Sequence, residues 1–143
     1  MNQIEIKKTN HPYSKGVKIE IDRLPPSVNH IWKHSGRGGF ARTYMSKEGK
    51  DFKKFMHSVI EHPQLISPIN VLPLFPGDTN VKVQIFLTFP TRRKQDIDNY
   101  CKGILDSMAG KIYIDDSQIT ELFVTKTYQK GVTACTILVE EIT

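Results

Sequence analysis

Val81, Val83, Ile85, Leu87 and Phe89 fall at every second position, and Pro90 follows them. Five apolar residues at a period of two are buried together only as one face of an extended strand, and the proline ends the ladder because it has no N–H to donate. This is the clearest element in the chain, and the remaining segments must supply its partners and a cover for its apolar face.

Val17, Ile19 and Ile21 alternate with Lys18, Glu20 and Asp22 before Pro25-Pro26, which predicts a first strand. Ile119 to Tyr128 and Thr133 to Ile142 read as two more strands joined by a turn at Gln129-Lys130-Gly131, with an antiparallel hairpin the simplest pairing. Ser46 is placed to cap a helix whose apolar positions Phe52, Phe55, Met56, Val59 and Ile60 repeat at three and four. Ile97, Tyr100, Cys101, Ile104, Leu105 and Met108 recur at the same spacing, predicting a second helix from about Asp98 to Ala109 with Gly110 as its stop. The expected fold class is α+β, one mixed or antiparallel sheet with two helices packed against it, in a single domain spanning 1–143. Residues 1–16 read as a loose leader. Residues 62–80, with Pro63, Pro68, Pro73, Pro76 and Gly77-Asp78, read as a long loop from which no chemistry is expected.

Charge bounds the partner. Twenty Lys and Arg against 15 Asp and Glu give a net charge of +5, as a phosphate-rich ligand would favour. From Ser27 to Thr43 the chain is polar and glycine-punctuated, with Lys33, His34, Arg37 and Arg42 among Trp32, Phe40 and Tyr44. Such a loop or hairpin suits a phosphate backbone, and it equally suits a solvated surface loop. No apolar run approaches the roughly 20 residues of a membrane span, and no secretory signal is visible, so a cytoplasmic location is expected. Cys101 and Cys135 sit inside apolar patterns and read as buried thiols, while the five histidines share no metal-ligand spacing with them.

The carboxylates carry the chemistry. With about 100° per helical residue, Asp98, Asn99, Lys102 and Asp106 form one polar stripe opposite the apolar set. That ladder alone is ordinary solvated decoration. Three features weigh against leaving it there. Asp96 and Asp98 straddle a strand-to-helix junction, where backbone N–H groups favour anions. Asp96, Asp98, Asp115 and Asp116 would repel one another in a shared site unless protons or a cation neutralised them. Arg92-Arg93-Lys94 stands directly before the acids, setting cations for a phosphate backbone beside hard oxygen ligands, the pairing that Mg²⁺-assisted phosphodiester hydrolysis uses. Lys102 is placed to neutralise the phosphate. No Gly-x-Ser-x-Gly elbow, Walker loop or Cys-x-x-Cys competes.

Asp96-x-Asp98-Asn99-x-x-Lys102-x-x-x-Asp106 followed by Asp115-Asp116-x-Gln118-Ile119 resembles the RusA family of Holliday junction resolvases. Pro25-Pro26-Ser27-x-Asn29 after the first strand and Ser46-x-Glu48-Gly49 at the first helix extend the likeness from about Ile19 to Lys126. The resemblance implies a small homodimeric endonuclease, bacterial or prophage-encoded, that makes paired symmetric nicks in four-way junction DNA with Mg²⁺, Mn²⁺ being an admissible substitute. It assigns catalysis to Asp96, Asp98, Asp116 and Lys102, with the three aspartates as metal ligands. Asn99, Asp106 and Asp115 fall to supporting roles, and Asn29, Lys33, Arg37, Arg42, Arg92, Arg93 and Lys94 to DNA contacts. Two other functions remain open at this point: a module that grips branched DNA without cutting it, and a nuclease for flaps, forks or RNA.

Overall fold

In the computed structural model the alternating segment is strand β5 (Val81–Phe89), with all five of its apolar odd positions buried. The structure describes residues 2–8, 15–35, 42–61 and 73–142, with backbone alone for 6–8, 15, 32–35 and 42–43. β5 lies between β7 (Ala134–Glu141), which it pairs antiparallel, and β6 (Ile119–Tyr128), which it pairs parallel. Beyond β7 come β2 (Lys15–Ile21) and then β1 (Gln3–Lys8), giving a five-stranded mixed sheet in the order β1-β2-β7-β5-β6.

Two expectations are corrected here. β6 and β7 do not form a hairpin, because β5 is inserted between them. The turn after β6 passes over the end of β5 instead: the Gln129 N–H donates to Phe89 O at 3.0 Å and the Gly131 N–H to Pro90 O at 3.4 Å. As the most buried strand, β5 takes the inner place, where both of its hydrogen-bonding edges are paired rather than left open. The N-terminal residues are also not all leader, since Gln3–Lys8 pairs antiparallel with β2, from Gln3↔Glu20 to Lys8↔Lys15. Among the described side chains of this strand the half-buried Ile4 packs against the core from this edge, too short a pattern to stand out in sequence.

A parallel pair cannot be closed by a tight turn, so residues 90–118 cross from the end of β5 back to the start of β6. This crossover holds helix α3 (Lys102–Met108) and both acidic motifs. Upstream, α1 (Val28–Ile31) leads into a separate two-stranded ribbon of β3 (Trp32–Ser35) and β4 (Arg42–Met45), followed by α2 (Lys47–Ile60). Ser46 joins these pieces. Its Oγ accepts from the Gly49 N–H at 3.1 Å as the α2 N-cap, while its own N–H donates to Ile31 O at 2.6 Å. Gly49 is required at this contact, because a Cβ there would lie 2.9 Å from Met45 Cγ and 3.0 Å from Ile31 Cγ2.

The helices cover one face of the sheet. Phe52, Met56 and Ile60 of α2 and Ile104 and Met108 of α3 form one core with Val17, Ile19 and Ile21, the β5 set, and Cys135, Ile137 and Val139. The opposite face carries the ion pairs Lys18–Glu20 at 2.6 Å and Lys82–Glu140 at 3.7 Å, with Phe86 and Phe123 exposed on it. Both cysteines are buried and free. Among the described residues no helix is long and apolar enough to cross a membrane.

Candidate active site

The acidic motif begins where β5 ends. Arg92, Arg93 and Lys94 are exposed on the turn after Pro90, and the Arg92 guanidinium lies 4.6 Å from the centre of the Tyr128 ring. Gln95 is fixed at two points: Lys126 Nζ donates to its carbonyl, and its side-chain oxygen accepts from the Tyr100 hydroxyl. Tyr100 in turn packs edge-on against Phe89, with ring centres 5.3 Å apart. The residue before Asp96 is thus tied to β5 and β6 together.

Asp96 is extended and opens a 3₁₀ turn, Ile97–Tyr100, with the Asn99 N–H donating to its carbonyl at 3.1 Å. The predicted continuous helix from Asp98 is therefore a 3₁₀ turn followed by α3. Packing explains the break, because Cys101 is buried at the junction, and its Sγ donates to Ile97 O at 3.6 Å. The polar stripe survives in part, with Lys102 Nζ on Asp106 Oδ1 at 3.1 Å. Lys102, expected to face a phosphate, is engaged by this i,i+4 partner. Gly110, at φ +80, stops the helix as predicted.

The second acidic motif is built on Gln118. Its Oε1 accepts from the Ile114 N–H at 2.8 Å and the Asp115 N–H at 3.0 Å, while Nε2 donates to Pro76 O at 2.6 Å and Thr79 O at 2.8 Å. All four bonding capacities of a buried amide are used. Asp115 caps the 3₁₀ turn Asp116–Gln118, and the Ser117 hydroxyl and N–H on its carboxylate hold its pKa below the ordinary value. Tyr113, fully buried, donates to Leu105 O at 2.6 Å; burial, then the charges of Asp116, Asp106 and Asp115, push its pKa up.

These contacts sort the acids. Asp106 is paired with Lys102 and Asp115 is used as a cap, whereas Asp96, Asp98 and Asp116 are exposed and, among the described residues, make no ion pair. As hard oxygen donors open to solvent, these three suit Mg²⁺ by chemistry. Their placement is another matter. Asp96 and Asp98 follow the C-terminal end of β5, and Asp116 precedes the N-terminal end of β6. Because the strands are parallel, with Val81 opposite Ile119 and Phe89 opposite Tyr128, these are opposite ends of the pair. Nine residues make β5 roughly 26 Å long, at about 3.3 Å per residue. Among the described residues no three His, Cys, Asp or Glu side chains come close enough to hold a metal.

Of the predicted DNA contacts, Asn29 is exposed on α1, Lys33 and Arg42 lie on the β3–β4 ribbon, and Arg37 falls outside the described residues, as does most of the proline-rich loop. The roles of Gln95, Gln118, Lys126 and Tyr128 were not foreseen. Gln118 stood in the acidic motif, but nothing in its spacing revealed that it would be buried.

Residues 23–140 match the family Endodeoxyribonuclease RusA. The chain belongs to that family. It is 30% identical over 103 residues to the crossover junction endodeoxyribonuclease RusA of Escherichia coli strain K12, covering 71% of this chain and 76% of that one. The corresponding protein of Enterobacteria phage 82 shows the same identity and coverage. That of Enterobacteria phage HK97 is 26% identical over 94 residues, 66% of this chain and 68% of the relative. The matched RusA segment takes in the first acidic motif, Lys102 and the second acidic motif together.

Proposed function

We propose that this RusA-family chain is a Mg²⁺-dependent, structure-selective endodeoxyribonuclease that resolves four-way DNA junctions by paired symmetric nicks, acting as a homodimer. The observation that carries the reading is the trio Asp96, Asp98 and Asp116, exposed and without ion pairs among the described residues, while their acidic neighbours are occupied.

Two copies account for the distance between the motifs. β6 is the outer strand of the sheet, ten residues long, with Leu122 and Phe123 exposed along it. A two-fold axis beside that edge runs the partner's β6 in the opposite direction, which brings the end bearing Asp96 and Asp98 toward the end bearing Asp116 of the partner subunit. The same symmetry gives two sites for two opposing strands of a four-way junction. Bound Mg²⁺ would supply a more acidic attacking water and offset charge on the phosphate and leaving oxygen. Arg92, Arg93 and Lys94 grip the backbone beside the acids, and Lys102, released from Asp106, neutralises the phosphate.

The test is a labelled synthetic junction incubated with Mg²⁺ and wild type, Asp98→Asn, Asp116→Asn, or the two variants mixed. Wild type should place symmetric nicks and each variant alone should lose them. A mixed dimer retains one intact two-copy site, so mixing should restore nicking of one strand; failure to restore it would assign each site to a single chain. Binding without nicking by wild type would make the protein a branched-DNA binder, and preference for flaps or forks at matched salt would change the substrate.

A further inference from the structure

At the C-terminal end of the β5–β6 pair lies a groove of about 370 Å³ lined by Arg92, Arg93, Gln95, Lys126, Thr127 and Tyr128, with Phe89 and Thr91 completing it. Three of these residues are cationic and none is acidic. The groove also holds an aromatic face, Tyr128, 41% exposed, with the Arg92 guanidinium stacked on it. Cations alone would suit any phosphate. The Tyr128–Arg92 stack beside them adds a flat, apolar surface of the kind on which an unpaired base rests.

Position fixes which nucleotide this would be. Lys126 Nζ donates to the Gln95 carbonyl, and Gln95 immediately precedes Asp96. An ammonium has three donors, so Lys126 keeps two for a ligand while bracing the acidic loop. A DNA strand crossing Asp96 therefore passes the groove within a nucleotide or so.

We propose that this groove is a subsite for one unstacked nucleotide of the cleaved strand, its base extending the Tyr128–Arg92 stack and its phosphate held by Arg93 and Lys126. The subsite deepens the junction-cutting reading and rests on it for the strand's identity. Turning a nucleotide out of continuous duplex costs its pairing and stacking, a cost that is smaller at a branch point, so branched DNA fills the groove more readily. Preference for branched DNA then lies partly in Tyr128 and Lys126, two β6 residues outside the acidic motifs.

Two measurements test this. The first is binding of the single-stranded tetranucleotide (dT)₄ in EDTA, followed by titration against wild type, Tyr128→Ala, Tyr128→Phe and Lys126→Gln. Tyr128→Ala should weaken binding about tenfold while Tyr128→Phe keeps it, and Lys126→Gln should lower the salt slope by about 0.7. The second uses a junction carrying 5-iododeoxyuridine within two nucleotides of the cut, where irradiation should cross-link Tyr128. If Tyr128→Ala and Lys126→Gln both bind (dT)₄ like wild type, or if the cross-link falls elsewhere, the subsite is wrong, even where junctions are still cut. If (dT)₄ binding depends on Tyr128 but no junction is ever nicked, the subsite stands and the junction reading falls.

Discussion

At the scale of single residues, the acidic motifs are held by groups that do no chemistry themselves. Gln118 bonds the loop at Pro76 and Thr79 to the N–H groups of Ile114 and Asp115, and so sets the direction in which Asp116 projects. Gln118→Ala leaves those groups without partners, and the expected loss is about 1–3 kcal/mol in urea unfolding, accompanied by weaker nicking. An unchanged unfolding midpoint would remove Gln118 from this role. Cys135 makes a simpler case: burial pushes its thiol up to about 12, so native protein should leave it unmodified by a thiol reagent at neutral pH. Rapid labelling before unfolding would contradict the buried placement.

Between elements, the contact that sets α3 on the sheet is its packing against α2. His57 of α2 donates through Nε2 to Ser107 O of α3 at 3.0 Å, beside the Lys111–Glu61 ion pair. Burial, and then the positive charge of Lys111, lower the His57 pKa from the ordinary 6.5, outweighing the Ser107 carbonyl and Glu61, which act the other way. The unfolded chain therefore takes up the proton first, and stability is lost as pH falls through 6.5 toward the lowered value. The melting temperature of wild type should decline across that window more steeply than that of His57→Gln, which keeps a donor for Ser107 without titrating. Parallel slopes would exclude His57 as the cause. Core strands follow plainer rules: Ile85→Ala at the centre of β5 should cost about 2–5 kcal/mol, read by urea unfolding, because no solvent reaches that position.

For the molecule as a whole, the sheet ends at β6, and a free ten-residue edge is an open ladder that proteins normally cover or pair. Phe123 on that strand is 54% exposed. Phe123→Glu is expected to change unfolding by no more than about 0.5 kcal/mol while shifting the sedimentation of the chain to monomer and abolishing nicking. Wild type that sediments as a monomer at working concentration, yet nicks at full rate, would end the two-copy site. The net charge of +5 adds a second expectation at this scale: junction affinity should fall steeply between 50 and 200 mM salt, and weak salt dependence would argue against phosphate contacts as the main grip.

Local pattern determined much of this protein. The period-two runs placed β2 and β5, the three-and-four spacing with Ser46 and Gly110 placed α2 and most of α3, and the spaced acids with Lys102 led to the family. Those features depend on neighbours a few residues away, which a sequence displays directly. Tertiary structure alone decided that β6 joins β5 in parallel rather than β7 in a hairpin, since strand order depends on which edges compete for the most apolar strand. That one choice placed Asp98 and Asp116 at opposite ends of a strand pair and folded Lys126 and Tyr128 against the acidic loop, whereas the Lys102–Asp106 pair is a local i,i+4 contact within α3. Contacts between residues tens of positions apart leave no periodicity to read, so the candidate residues and the family were legible in the chain and their spatial assembly was not.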